Sequence, residues 1–297
     1  MEYRKGPLKF ADQLALLQQR GLQVDDPQLA TLYLQRVGYY RLMGYLFPMR
    51  LQGSDEYHPG SMFQSAVDRY NFDHQLRALV LDAVCHIEVA VRTAVTYEMA
   101  HAYGAFAHAK ANSFAYDQAW HADWLATIET EIDRARETFI DHYKAKYDGY
   151  PRLPIWMATE VMSLGSISKM YKGMHPANQK AVATRFGVAH TVLSSWLHSV
   201  SVVRNICAHH GRLWNRVLGV SPALPKSGAW QYLPQLTPNN RVFFALMVIR
   251  MLLVNSMMDA NEWRDRISDL LRPFLADPAS QASMGAPQNW EQHPAWR

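Results

Sequence analysis

Cysteine is nearly missing from this sequence: Cys85 and Cys207 are the only two in 297 residues. That excludes a disulfide framework and a cysteine-rich zinc site, and it suits a reducing cytoplasm. The opening residues, MEYRKGPLKFADQ, lack the apolar stretch of a secretory signal, so the cytoplasm is the expected compartment. Long hydrophobic runs are missing too. The best membrane-span candidate, Val242–Met258, is interrupted by Arg250 and reads as a buried helix, with no membrane partner expected. No strand-like alternation of useful length occurs, nor any internal repeat or low-complexity block. The patterns H-E-x-x-H, G-x-x-x-x-G-K-[ST] and G-x-G-x-x-G are absent, and His175, His190 and His198 show no ligand spacing. Zinc hydrolysis and nucleotide binding therefore have no direct motif, and neither a metal nor a cofactor is expected.

One absence is local. From Val161 to Met258 there is no Asp or Glu, although the chain has 26. The same window holds ten cations: Lys169, Lys172, Lys180, Arg185, Arg204, Arg212, Arg216, Lys226, Arg241 and Arg250. The remainder carries 20 basic and 26 acidic residues, a formal −6 beside a +10 block. Such asymmetry favours a polyanion, nucleic acid, against the block; an acidic subunit is the alternative partner.

What is present is helical. An apolar fraction of 49% with 12% aromatics excludes disorder over most of the length. Phe10–Arg20 stops at Gly21, and Asp26-Pro27 reads as cap and first turn for Gln28–Val37. An aromatic segment, Tyr39–Met49, follows. Ser61–Tyr103 repeats Leu76, Leu79, Val80, Val84, Ile87, Val91 and Val95 at helical spacing and stops at Gly104. Tyr116–Lys146 reads as one long helix with a stripe of Trp120, Trp124, Ile128, Ile132 and Phe139. Helices are further expected at Ile155–Met162, Ser166–Met174, Pro176–Phe186, Thr191–His210, Asn240–Met258 and Glu262–Leu275, with a proline-dotted loop over Val220–Pro238. The fold class is all-α. The expected organisation is an N-terminal helical segment over 1–55 packed on a helical domain over 56–276, with a disordered tail over 277–297.

The segment Val203–Asn215, VRNICAHHGRLWN, carries the chemistry. Arg204, Asn205, His209 and His210 crowd the end of one apolar helix, with Arg212 just beyond. Arginine grips phosphate through a planar fork of donors, and histidine exchanges protons near neutral pH. Together they suit metal-independent RNA cleavage, in which the ribose 2′-OH is the internal nucleophile. Residues five apart on a straight helix diverge by roughly 140°, so Arg204 and His209 converge only through the length of arginine and the helix end at Gly211. The competing explanation is a polar cluster in which the histidines meet terminal carbonyls and the helix dipole.

Arg204-Asn205-Ile206-Cys207-Ala208-His209 resembles the R-N-x-x-x-H signature of HEPN ribonucleases, and Ala208–Asn215, AHHGRLWN, is similar to the motif of the Abi-D/Abi-F abortive-infection family, a HEPN branch. Four more segments resemble that family in order: KGPLKFADQLALLQQRGLQVDD (Lys5–Asp26), YYRLMGYLFPMR (Tyr39–Arg50), FDHQLRALVLDAVCHIEVAVR (Phe72–Arg92) and LPIWMATEVMSLGSISKMY (Leu153–Tyr171). The resemblance implies a HEPN-like helical bundle with additional N-terminal helices, and phage defence by RNA cleavage or RNA binding. It further implies composite sites built from two HEPN units and, in some members, a small noncoding RNA that restrains the protein.

The expected catalytic residues are thus Arg204 and His209, supported by Asn205, His210, Glu88 and Arg92. The expected RNA-binding residues are Arg212, Asn215, Arg216, Lys169, Lys172, Arg41 and Tyr40. Glu88 and Arg92, four apart, form either an intrahelical ion pair or a device orienting Arg204. Tyr39, Tyr40, Arg41 and Tyr45 either stack on unpaired bases or form an aromatic core with Arg41 at its rim. Trp156 and Glu160 are read as packing and capping residues. One R-N-x-x-x-H per chain, where acid and base together need two histidines, points to a homodimer. Its contact is expected along Thr191–His210, near Val200 or Val203. The two function classes are an RNase effector and a catalytically silent HEPN protein that binds a specific RNA as sensor or scaffold.

Overall fold

The computed structural model describes residues 2, 6–226 and 238–297; part of the expected Val220–Pro238 loop, and Lys5 of the first family-like segment, lie outside them. Among the described residues there are α-helices and short 3-10 turns but no strand, only isolated bridges. The chain is all-α. It divides into two compact units, Met1–Leu76 and Arg77–Arg297, so the division falls inside a helix rather than near residue 55.

The first unit holds α1 (Phe10–Gln19), α2 (Pro27–Arg36), α3 (Tyr39–Leu46) and the start of α4 (Phe63–Tyr103). Asp26 caps α2 as its sequence implies, accepting from the Leu29 N–H at 2.9 Å. Tyr45 is buried and donates to Asp73 at 2.7 Å, while its ring meets Tyr70 edge-on. The aromatic segment is therefore split: Tyr45 belongs to the core, whereas Tyr40 is 92% exposed.

The second unit continues α4 and adds α5 (Gln118–Arg134), α6 (Thr138–Lys146), α7 (Ile155–Val161), α8 (Leu164–Gly173), α9 (Pro176–Arg185), α10 (His190–Ala208), α11 (Val242–Leu253), α12 (Ala260–Phe274) and α13 (Pro278–Met284). Within it Val80, Val84, Ile87, Val91 and Val95 of α4 are buried as their spacing requires. The expected single helix over Tyr116–Lys146 is two helices. After Ile128 and Ile132 the stripe would continue at 135 and 136, where Ala135 and Arg136 offer no large apolar group. The backbone turns extended at Ala135, and α6 restarts with Ile140, not Phe139, inward.

Ten of the twelve residues of α11 are buried. At 1.5 Å per residue it is about 18 Å long, well short of a ~30 Å hydrocarbon core. Among the described residues no single helix is long and apolar enough to cross a membrane; α9 and α10 pass together but are bent by 72°.

The tail expected to be disordered is ordered. α13 is capped by Asp277, and Trp290 and Trp296 are buried against Phe243 of α11, with centroids 5.9 and 5.3 Å away. Its Ala, Pro, Gln and Ser content hid two tryptophan anchors, and Ser283 also accepts from the Trp214 indole at 3.0 Å.

Candidate functional site

α10 sets the site. Leu193, Leu197, Val200, Val203 and Cys207 form its buried seam, with Trp196 beside them. That seam commits the opposite face outward. Asn205 and His209 are exposed and Arg204 is half-buried. Asn205 joins the other two: its Oδ1 accepts from Arg204 Nη1 at 3.3 Å, and its backbone carbonyl accepts the His209 N–H at 3.0 Å.

The helix does not end on its glycine. His209 is the C-cap, and His210 takes the left-handed conformation, φ 55°, that glycine usually fills. His210 N–H bonds the Cys207 carbonyl at 3.0 Å and Gly211 N–H the Ile206 carbonyl at 2.8 Å, the paired closure of a Schellman turn. Left-handed backbone costs a non-glycine residue about 1–2 kcal/mol. Asn215, φ 53°, is the other non-glycine residue with positive φ among those described, so both fall within AHHGRLWN. Both histidines of the turn are exposed.

Beyond the turn the motif is tied down. Arg212 lies over the Trp214 ring at 5.8 Å, and Arg216 Nε donates to the Arg212 carbonyl at 2.9 Å. Asn215 Oδ1 accepts from Arg241 at 3.0 Å, and the same nitrogen of Arg241 reaches the carbonyls of Ala282 and Ser283. Burial pushes the Arg241 guanidinium below its usual range. Asn215 thus has a role in holding α13 that its sequence context did not reveal.

The +10 block is not uniformly available. Arg241 is spent on the clamp, Arg250 on the carbonyls of Ala295 and Arg297, and Arg185 on Glu98 at 2.7 Å. Lys169, Lys172, Lys180 and Lys226 are exposed. Glu88 and Arg92 form the intrahelical pair at 2.8 Å, and Arg92 also donates to the Met162 carbonyl at 3.1 Å, which points the guanidinium at the end of α7. Tyr40 and Arg41 are exposed on α3, in the first unit. Trp156, read as packing, is 50% exposed, because Ile155 and Ala158 take the inward positions of α7. Val200 and Val203 are each 1% exposed, so neither can meet another subunit. Among the described residues no three His, Cys, Asp or Glu side chains are grouped to hold a metal ion.

Sequence reasoning missed an open groove of about 750 Å³ between α5, α8 and α10, whose lining includes Lys169, Lys172, His198 and Asn205. Its walls are fixed by specific bonds. Glu131 of α5 accepts from the Ser163 N–H at 3.2 Å and from the Ser166 hydroxyl at 3.0 Å, an acidic cap on the positive end of α8. Trp124 donates to the Ser166 carbonyl at 3.2 Å. At the other end of α8, Trp120 abuts Gly173, where a Cβ would stand 2.2 Å from its ring. The polar spacing Thr191, Ser194, His198, Asn205 on the face of α10 opposite its seam was the available signal.

The family described as Abi-like protein matches residues 32–215, which span three of the four family-like segments and end on Asn215 of the motif. No curated protein and no solved structure matched the chain. The match covers more than half of the sequence, and the chain belongs to the Abi-like family of abortive-infection proteins.

Proposed function

We propose that this chain is a HEPN-type, metal-independent endoribonuclease acting in abortive infection, with a homodimer as the active species. The observation that carries the reading is the end of α10, where the Asn205 amide accepts from Arg204 and the exposed His209 caps the helix one turn on. The arrangement suits in-line transesterification. A histidine takes the proton of the ribose 2′-OH, O2′ bonds to phosphorus, and the P–O5′ bond breaks as a second acid protonates O5′. Arg204 stabilises the charge that develops on the phosphorane. The products carry a 2′,3′-cyclic phosphate and a 5′-OH. A second His209 from a partner chain supplies the acid, and a small noncoding RNA is a candidate restraint.

Purified protein incubated with total RNA, with and without EDTA, tests this. EDTA-insensitive cleavage with cyclic phosphate ends is the expected result, and strict dependence on Mg²⁺ defeats the mechanism. RNA binding with no cleavage under any condition would leave the silent sensor or scaffold.

A further inference from the structure

We infer that the groove between α5, α8 and α10 holds a single-stranded segment of the RNA and feeds it to Arg204 and His209; the inference rests on the ribonuclease reading above. Along α10 the groove runs from Thr191 to Asn205, about 21 Å at the rise of an α-helix, enough for a few extended nucleotides. Asn205 is both its last residue on α10 and the acceptor of the Arg204 guanidinium. The groove is therefore contiguous with Arg204 through the Asn205 side chain, and His209 follows one helical turn beyond Asn205.

Its chemistry matches a sugar–phosphate chain. Lys169 and Lys172 stand one turn apart on the exposed face of α8, facing hydroxyls and the His198 imidazole on α10. Phosphates and sugars take most of their contacts from such lysine, hydroxyl and amide groups. Asp123 is the one acid in the lining, at the α5 edge. Trp120 supplies half-buried aromatic surface at the same wall, the feature on which unpaired bases stack.

Size excludes a duplex. A volume of about 750 Å³ falls within the range that holds one compact organic ligand, a nucleotide or two at a time. Double-stranded RNA is instead read across its wide, shallow minor groove by a broad surface. The occupant is a strand already unpaired where it enters.

The test uses full-length protein carrying His209→Ala, so that binding is read without cutting. Fluorescence anisotropy compares a labelled ten-nucleotide single strand with the duplex of the same sequence, and thermal melts confirm that each variant is folded. Lys169→Glu with Lys172→Glu should weaken single-strand binding at least tenfold and lower the slope of log affinity against log salt by about 1.4, two single-strand phosphate contacts' worth. Lys180→Glu, a single charge reversal on α9 outside the groove, should cost less than twofold, and the duplex should bind at least tenfold more weakly than the single strand. Equal losses for the groove pair and Lys180, or equal affinity for both RNA forms, overturns the groove while leaving cleavage by the native protein untouched. A native chain that neither binds nor cuts RNA overturns the ribonuclease reading itself.

Discussion

Gly211 donates its backbone N–H to the carbonyl of Ile206 at 2.8 Å, and that bond closes the turn in which His209 and His210 sit. A Cβ at Gly211 would stand 3.1 Å from the Ile206 oxygen and 3.3 Å from its side chain. The oxygen is backbone and already bonded, so it cannot yield without loosening the turn that holds His210 left-handed. Gly211→Ala should cost about 1 kcal/mol of stability, in line with loss of a helix-ending bond. Cleavage should fall further than that, at least tenfold, because the aim of His209 changes. Urea denaturation beside single-turnover cleavage separates the two, and an unchanged rate shows that the turn does not position the site.

The tail offers a second test. Trp296 is 1% exposed, packs on Phe243 and donates to Ser268 at 3.1 Å. Trp296→Ala should cost about 3–5 kcal/mol, the range for a buried aromatic truncated in a core. Arg241→Met should cost roughly 2 kcal/mol by stranding the acceptors of Asn215, Ala282 and Ser283. A chain ended at Ala276 that melts like the full-length protein contradicts both figures.

The helices that bury one continuous stripe were legible from spacing alone: α2, the latter part of α4, α8 and α10 each fall within two residues of their expected ends. Legibility failed where tertiary partners decided the outcome. The break at Ala135 carries no proline or glycine, and the order of the tail depends on Phe243, a residue far upstream. The motif was readable as chemistry, but its geometry was not. His210 occupies a position that sequence assigns to glycine, and Asn215 looks like a ligand-binding residue until Arg241 is seen beside it. The groove arises from three helices, so no single segment announces it.

Burial gives the protein an acid-sensitive element away from the site. His108 is 1% exposed, and burial, reinforced by neighbouring His121, holds its imidazole down at about 4 from the usual 6.5. The unfolded chain binds a proton near 6.5 that the folded chain refuses until about 4. Protons in that window therefore favour unfolding: the stability is fully present above 6.5 and is lost as pH falls towards 4. Between pH 7 and pH 5 the loss attributable to His108 is about 2 kcal/mol. His293, also lowered by burial, adds in the same direction. Melting curves of the native protein and His108→Phe check it. A variant with an equally steep acid limb would mean that His108 is not the group responsible.

The last prediction concerns assembly. Acid and base chemistry at one phosphate asks for two proton-carrying groups, and each chain brings one R-N-x-x-x-H. A two-fold dimer places two such ends in one cleft. Val200 and Val203 cannot form its contact, since both are sealed within their own chain. The exposed end of α10, with Asn205 and His209 outward, is the part left to face a partner. Native protein mixed equally with His209→Ala and allowed to exchange subunits decides the matter. If both imidazoles serve one cleft, mixed dimers are dead and activity per total protein falls to about a quarter of native; independent sites leave about a half. Dilution gives the second arm: a composite site loses specific activity as dimers dissociate. Full activity from a species that sedimentation shows to be monomeric means that one chain supplies both proton-transfer groups, with His210 beside His209 as the first place to look.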